Sequence, residues 1–257
     1  MAGIDSRAVV HDGTKLGEDV TIGPFAIVGP NVSIGRGTII GSCALVHGDT
    51  EIGEDCRLSH NAVVGTDAQD LKYAGEKTYL RIGDRTTIRE FATINRATGE
   101  GNVTSIGSDC FIMAYAHVAH NCLIGDSVVM GNAVNIAGHV EVADFAIVGG
   151  MTAVHQFVRV GRYSFTGGAS RLTKDVPPYV KVGGVPTRPI EVNTVGLQRR
   201  GFPEETLNLL RQCYRLLYLS DLNTTQALDR IHEELQLIDE IREIIEFVAA
   251  SSRGIIK

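Results

Sequence analysis

The stretch from Ser105 to Gly161 decides the fold of this chain. Written in groups of six residues, it reads SIGSDC FIMAYA HVAHNC LIGDSV VMGNAV NIAGHV EVADFA IVGGMT AVHQFV RVG. The second residue of every group is Ile, Val or Met. Followed outward in both directions, the same phase runs from Ile4 to Val160, and 24 of its 27 positions are aliphatic or Met. Repetition at one fixed period is typical of a solenoid.

A period of six fits neither an amphipathic helix nor a simple alternating strand. It fits a short strand, a tight corner and another strand, so three groups close a triangular coil of 18 residues. Successive coils then stack as parallel strands ~4.8 Å apart, which predicts a parallel β-helix. A β-sandwich with regular turns would not keep one phase over this length. Glycine often follows the aliphatic residue, as in Ile22-Gly23, and we expect it to permit corner conformations that a Cβ forbids.

Three residues break the phase: Asp70, Glu76 and Glu100. They mark two insertions, near residues 66–80 and 96–104, after which the phase resumes. Long excursions from a solenoid cost little closure entropy and often carry function.

The hexad pattern fades after Leu172, and residues 173–200 are rich in proline, which predicts an extended loop. Helical periodicity then takes over. We therefore assign residues 1–190 to the β-helix and residues 191–257 to a C-terminal helical domain.

Three helices are expected in that domain. The first begins at Phe202-Pro203 with acidic residues in its first turn. Asn223 is expected to cap the second. The third carries Ile241 on its apolar face and ends near Gly254.

Composition narrows the class of protein. The chain of 257 residues has 24 basic and 30 acidic side chains, a net charge of −6, which argues against a general nucleic-acid binder. Its five cysteines are an odd number without C-x-x-C spacing, which favours free thiols in a reducing compartment. No secretory signal and no integral membrane segment are apparent, so the expected location is cytoplasmic.

Histidines concentrate in one part of the solenoid. Four of the eight lie between residues 117 and 155. The 18-residue coil places His120, His139 and His155 on or next to one line along the solenoid. Such convergence indicates either a metal site or a general base with polar helpers.

Several blocks carry a family resemblance: GTDAQDLKYAGE (65–76), AHVAHNCLIG (116–125), NIAGHVEV (135–142), GGMTAVHQF (149–157), DVPPYV (175–180) and GLQRRGF (196–202). Together with the hexads they resemble the UDP-N-acetylglucosamine O-acyltransferase family over nearly the whole chain. The resemblance implies a left-handed parallel β-helix that forms a homotrimer with active sites between subunits. It implies transfer of a 3-hydroxyacyl chain from acyl carrier protein to the sugar 3-hydroxyl of UDP-N-acetylglucosamine, the first step of lipid A synthesis. No cofactor, metal or covalent enzyme intermediate is implied.

The same resemblance implies roles for individual residues. His120 would be the general base, and the backbone N–H of Gly138, one coil further along, would stabilise the oxyanion. Gly168 would occupy the position where side-chain size sets the length of the acyl chain, and a glycine there would leave room for a long chain. Substrate contacts would come from the first insertion, the histidine region and the end of the solenoid: Gln69, Asp70, Lys72, His117, His139, His155, Gln156, Asn193, Arg199 and Arg200.

Two positions depart from the family pattern. Asn121 follows the base where an acidic residue is frequent, so it can orient the imidazole but adds no charge. Val195 stands where the family pattern suggests a glutamate, and its side chain cannot accept a hydrogen bond from the ribose. A surplus of cations between residues 159 and 200 suits the acidic carrier protein.

Three alternatives remain open on the sequence. The first is another hexapeptide acyltransferase that uses a CoA donor or acylates a sugar amine. The second is a γ-class carbonic anhydrase. The third is a non-enzymatic β-helix scaffold.

Overall fold

The computed structural model describes residues 3–257. Within them 28 short strands form three sheets, because each coil of the chain gives one strand to each sheet in turn. Four helices follow the strands.

The first sheet has 11 strands, the second nine and the third eight. The first contains β1 (Gly3–Ile4), β4 (Thr21–Ile22), β7 (Ile39–Ile40), β10 (Arg57–Leu58), β13 (Thr87–Ile88), β16 (Phe111–Ile112), β19 (Val129–Met130), β22 (Ile147–Val148), β25 (Phe165–Thr166), β27 (Val180–Gly183) and β28 (Arg188–Val192). The second contains β2 (Val9–Val10), β5 (Ile27–Val28), β8 (Leu45–Val46), β11 (Val63–Thr66), β14 (Thr93–Asn95), β17 (His117–Val118), β20 (Asn135–Ile136), β23 (Ala153–Val154) and β26 (Arg171–Leu172). The third contains β3 (Lys15–Leu16), β6 (Val32–Ile34), β9 (Asp49–Ile52), β12 (Tyr79–Ile82), β15 (Val103–Ile106), β18 (Leu123–Ile124), β21 (Glu141–Val142) and β24 (Arg159–Val160).

The register between coils is the predicted one. Ile112 pairs in parallel with Met130, and Met130 pairs with Val148, each 18 residues further on. All three side chains are fully buried, so the aliphatic positions form one continuous column inside the triangular prism. Burial of this apolar column, together with the ladder of backbone hydrogen bonds between coils, holds the solenoid together.

The corner glycines act differently from our expectation. The left-handed backbone conformation occurs three residues after the aliphatic position and is adopted there by non-glycine residues, including Asn121 and His139, with φ of 58° and 59°. Glycine next to the aliphatic residue is needed for space instead. A Cβ on Gly131 would lie 2.4 Å from the backbone nitrogen of Gly150 in the next coil. Close stacking of coils, rather than an unusual φ, therefore favours glycine at residue 131.

Two loops leave the coils after strands of the second sheet. The first joins β11 to β12 and the second joins β14 to β15. Arg96, which is 8% exposed, holds them together by donating hydrogen bonds to the Gly65 carbonyl and the Asp67 carboxylate, both at 2.5 Å.

The extended loop predicted for residues 173–200 is wrong in part. β27 continues the first sheet in parallel with β25, and β28 then turns back antiparallel to β27. β28 is the edge strand of this sheet. An edge strand tolerates Pro189, since a missing N–H on its outer side breaks no ladder.

The three helices predicted at the C-terminus are confirmed as α2 (Glu204–Tyr218), α3 (Thr224–Glu234) and α4 (Asp239–Ala249), and a short α1 (Thr194–Arg199) precedes them. The Asn223 side chain caps α3 by accepting a bond from the Gln226 N–H. α4 ends at Ala249 rather than near Gly254, because the following residues return to the solenoid, where Ile255 bridges Asp175.

The apolar faces of the helices complete the core at the end of the solenoid. Leu197, Leu207, Leu210 and Ile244 are buried in the same cluster as the last aliphatic coil positions. The division of the chain into domains at residue 190 stays a prediction.

Candidate active site

Each coil turns one corner after each sheet, so the prism has three long edges, and the side chains at the corners differ from one edge to the next. We call the corner after the second sheet the histidine edge, with Asn121, His139 and Phe157 in its left-handed positions. The corner after the third sheet is the arginine edge, marked by Phe145 and Tyr163.

The third corner, after the first sheet, is the glycine edge, where Gly150 lies directly below Gly168.

The structure brings His120 and Gly138 into direct contact at the histidine edge. The imidazole lies so close to the glycine Cα that a Cβ on Gly138 would sit 2.5 Å from Cε1 and 2.6 Å from Nε2 of the ring. His139, next in the chain, meets His120 edge to face with ring centroids 5.3 Å apart. The side chain of His120 is 13% exposed, which leaves it a limited opening to solvent.

Hydrogen bonds define the protonation of the His120 ring. Asn121 donates from Nδ2 to the Thr98 carbonyl and accepts at Oδ1 from the Thr98 N–H, at 3.1 and 3.0 Å, which fixes the orientation of its amide. The same Oδ1 lies 2.9 Å from Nδ1 of His120. An amide oxygen only accepts, so Nδ1 carries the proton in the neutral ring and Nε2 keeps its lone pair.

The N–H of Gly138 has no hydrogen-bond acceptor in residues 3–257. At the arginine edge the equivalent N–H is paired. Asp126 occupies the same position in its coil as Gly138 does, and its N–H donates to the Asp144 carboxylate of the next coil at 2.9 Å. The residue one coil beyond Gly138 is Gln156, which accepts no such bond. A backbone donor therefore remains available beside the lone pair of His120.

The first loop supplies a carboxylate to this edge. Asp70 Oδ2 lies 3.8 Å from Nε2 of His120, and Asp70 also caps the loop by accepting from the Lys72 N–H at 3.0 Å. Gln69 and the Lys72 side chain are exposed on the same loop. Asp70 thus lies beside the base, and Gln69 and Lys72 adjoin Asp70 in the same loop.

Two further histidines beside His120 have lowered pKa values. His117 bonds through Nδ1 to the Thr93 hydroxyl at 2.7 Å, and burial followed by repulsion from His120 lowers its pKa. Burial and His120 also lower the pKa of His139. The lowered pKa values favour the neutral form of both rings beside His120.

His155 and Gln156 lie one coil further along the same edge and are exposed. His155 Nδ1 lies 3.2 Å from a guanidinium nitrogen of Arg253, a contact that the sequence did not suggest. Cys122, inside the edge, has its thiol pKa raised to about 12 by burial, which argues against a thiol nucleophile.

The remaining predicted residues lie away from the histidine edge. Asn193 donates to the Tyr163 carbonyl at 2.9 Å, and the Arg200 guanidinium lies 4.3 Å from the centre of the Phe145 ring. Arg199 lines a cavity of about 280 Å³. Val195 is 59% exposed on α1.

Gly168 is exposed on the glycine edge, where a Cβ would lie 3.1 Å from the Gly150 carbonyl oxygen. One chain thus brings together the residues of the histidine edge and leaves the two arginines and Gly168 away from it.

The sequence did not identify Thr98, Glu76 and Arg96, whose hydrogen bonds fix the two loops near His120. Their only signal was their position in or beside the two insertions. In residues 3–257 no cluster of three metal-ligating side chains occurs, and no helix is long and apolar enough to span a membrane.

Comparisons with known proteins agree over the whole length. The family profile described as UDP N-acetylglucosamine O-acyltransferase, domain 2, matches residues 175–256, and the profile of bacterial transferase hexapeptide repeats matches residues 13–48, 31–66 and 104–138. An acyl-[acyl-carrier-protein]--UDP-N-acetylglucosamine O-acyltransferase of Thiobacillus denitrificans is 43% identical over 258 residues, covering 100% of both chains. One of Burkholderia mallei is 45% identical over 194 residues, or 74% of each.

Solved structures give the same result. The UDP-N-acetylglucosamine acyltransferase of Francisella novicida has a TM-score of 0.95 and 37% identity, over 99% of this chain and 94% of that one. LpxA of Acinetobacter baumannii has a TM-score of 0.95 and 40% identity, over 99% of both. The predicted left-handed parallel β-helix with C-terminal helices is confirmed.

Proposed function

The chain belongs to the UDP-N-acetylglucosamine O-acyltransferase family, and from this premise we propose how its own residues carry out the reaction. The enzyme transfers a 3-hydroxyacyl chain from acyl carrier protein to the 3-hydroxyl of UDP-N-acetylglucosamine, the first step of lipid A synthesis, in the cytoplasm. The observation that carries the proposal is that Nε2 of His120, the ring nitrogen that does not face Asn121, lies against Gly138, whose N–H has no acceptor among residues 3–257.

His120 acts as the general base. Nε2 takes the proton of the sugar 3-hydroxyl as the sugar oxygen forms its bond to the thioester carbonyl carbon. The proton on Nδ1 remains hydrogen-bonded to Oδ1 of Asn121, and this bond stabilises the positive charge of the imidazolium. A neutral imidazole is suited to this step near neutral pH.

The Gly138 N–H supports the charge that develops on the carbonyl oxygen. Preorganised backbone donors of this kind typically contribute ~10²–10³-fold to acyl transfer. When the tetrahedral intermediate collapses, its C–S bond breaks and the imidazolium returns its proton to the departing thiolate. The products are the O-acylated sugar nucleotide and the free thiol of the carrier.

Asp70, Lys72 and Gln69 surround the sugar and its phosphate from the first loop, and His117 and His139 orient the sugar as neutral hydrogen-bonding groups. The acyl donor enters from the coils that carry His155 and Gln156.

The site needs more than one chain. Asn193, Arg199 and Arg200 bind the nucleotide, and Gly168 contacts the acyl chain, but within one chain they lie away from His120. In a homotrimer, a different edge of a neighbouring chain can face the histidine edge and complete the site.

Acyl carrier protein docks through its acidic surface to cations at the end of the solenoid. A cavity of about 410 Å³ in this region is lined by Arg171, Lys174, Arg188 and Lys257. Several positively charged side chains around one opening raise the local concentration of an acidic partner protein.

The test is product formation from defined substrates. The protein is incubated with UDP-N-acetylglucosamine and 3-hydroxyacyl carrier protein, and the nucleotide sugar is analysed by mass spectrometry and NMR. We expect an ester at the sugar 3-oxygen. A product formed only with a CoA donor, or only with a 3-amino sugar acceptor, would contradict the proposed substrates.

A further inference from the structure

Asn121, whose side chain contacts Nδ1 of His120, is itself fixed by hydrogen bonds to other residues. Asn121 bonds to both the N–H and the carbonyl of Thr98, at 3.0 and 3.1 Å, and its backbone N–H donates to Thr104 Oγ1 at 2.8 Å. Only a group that donates on one side and accepts on the other can bond to both backbone groups of Thr98. The loop of residues 96–102 therefore determines which atom of Asn121 faces the imidazole.

Glu76 fixes the position of that loop. Its Oε1 accepts from the Thr98 hydroxyl at 2.8 Å and from the Gly99 N–H at 2.7 Å, and its Oε2 accepts from the Ala74 N–H at 2.8 Å. Bonds from the Gly99 and Ala74 N–H groups lower the Glu76 pKa to about 2, so the carboxylate is charged at every working pH. Charge-assisted bonds to backbone N–H groups are stronger than neutral ones.

The contacts form one uninterrupted line from Glu76 through Thr98 and Asn121 to Nδ1 of His120. Glu76 makes no contact with the His120 ring. Asp70, His117 and His139 are the titratable groups that face the ring, and none of them bonds to Nδ1.

We propose that Glu76 is a positioning residue that acts through Thr98 and Asn121 to keep His120 protonated at Nδ1 and free at Nε2. The inference rests on the proposed function, since it names the device that orients the base. In this chain an amide takes the place of the acidic residue frequent after the base, and the two insertions supply the anchoring that the amide needs. Groups that orient an acid–base residue contribute by holding it within narrow limits of distance and angle.

Kinetics of a variant with a matched control provide the first test. Glu76→Ala is expected to lower kcat about 10-fold with the KM for UDP-N-acetylglucosamine unchanged, because this carboxylate reaches the ring only through Thr98 and Asn121. Glu76→Gln keeps one acceptor and should recover part of the loss. Glu100→Ala is the control, since Glu100 joins the same two loops by accepting from the Lys77 N–H at 3.1 Å without reaching Thr98. It should retain wild-type kcat.

A double-mutant cycle tests the order of the contacts. Asn121→Leu removes the bond to the imidazole and should lower kcat about 10-fold or more. If Glu76 acts only through Asn121, adding Glu76→Ala to that variant causes no further loss. Losses that multiply, or a rise in KM with kcat unchanged, would overturn the proposal.

The tautomer is measured directly and without substrate. Nitrogen-15 NMR of histidine-labelled protein distinguishes a protonated Nδ1 from a protonated Nε2, and His120→Ala assigns the resonance. We expect a single Nδ1–H form in the wild type and a mixture in Glu76→Ala and Glu76→Gln, each with an unchanged trimer mass and circular dichroism spectrum. An unchanged tautomer in both variants, or Nε2–H in the wild type, would refute the positioning role. This measurement stands apart from the proposed reaction, whose own failure would appear as absence of product in the wild type.

Discussion

At the scale of single residues, the site depends on how closely two coils approach. His120 packs over Gly138, and the same glycine presents an N–H without a partner. The obstacle to a Cβ on Gly138 is the His120 ring itself, so glycine is what allows the ring to lie there. Gly138 therefore serves both the proposed reaction and the packing of one coil on the next.

Gly138→Ala should abolish this arrangement. Its Cβ would lie 2.5 Å from the imidazole, so the ring must turn away from its bond with Asn121. We expect kcat to fall about 10²-fold, similar to the loss of an oxyanion donor. Steady-state kinetics give kcat, and a thermal unfolding curve shows whether the fold persists. A stable Gly138→Ala variant with wild-type kcat would show that the ring does not need this space.

The sequence predicted part of this site and missed another part. His120 and Gly138 could be related by counting one coil of 18 residues. The orientation of Asn121 could not, because it depends on Thr98 and Glu76 in two insertions whose path follows no repeat. Contacts between irregular loops carry no period that a sequence reveals.

At the scale of elements, the hexad fixes strand length, register and the buried column. What it does not fix is visible at the end of the solenoid. The hairpin of β27 and β28 was missed because its prolines suggest a loop, whereas an edge strand accepts them. The left-handed corner residues were also missed, since they include aromatic and aliphatic side chains that rarely adopt that conformation.

Two glycines at equivalent corners provide a test of the stacking argument. A Cβ on Gly131 would lie 2.4 Å from the backbone of the next coil, whereas one on Gly167, two coils further on, would lie 3.5 Å from its nearest neighbour. We expect Gly131→Ala to lower the free energy of unfolding by about 1–3 kcal/mol and Gly167→Ala to leave it nearly unchanged. Urea unfolding of both variants is the measurement. Equal effects would mean that conformation, not space, selects glycine at these corners.

At the scale of the whole molecule, the parts of one proposed site lie apart from one another within a single chain. Handedness and assembly could not be derived from the hexads themselves. The comparisons establish the handedness, and the trimer remains a proposal.

Mixed trimers test whether chains share a site. His120→Ala and Arg200→Ala are each expected to be inactive alone. Co-expressed with different affinity tags and purified as mixed trimers, they should regain up to about a third of wild-type turnover, because some interfaces then pair two intact edges. Mixed trimers of confirmed composition without activity would contradict the sharing of sites.

The proposed contact between Gly168 and the acyl chain is tested by adding a side chain at this position. Gly168→Met adds a flexible apolar side chain on the glycine edge and should shift the preferred donor to a chain shorter by about four methylenes, each worth about 0.8 kcal/mol when buried. Relative kcat/KM across a series of 3-hydroxyacyl carrier proteins measures the shift. An unchanged profile would mean that Gly168 serves only the backbone of its corner.

The central claim is that His120 removes the proton of the sugar 3-hydroxyl. The most direct measurement is single-turnover formation of 3-O-acylated UDP-N-acetylglucosamine by wild-type protein and by His120→Ala, at saturating concentrations of both substrates. The account predicts a rate lower by about 10²–10⁴-fold in the variant, with trimer mass, thermal stability and nucleotide binding unchanged. A folded His120→Ala protein that turns over within tenfold of the wild type would contradict it.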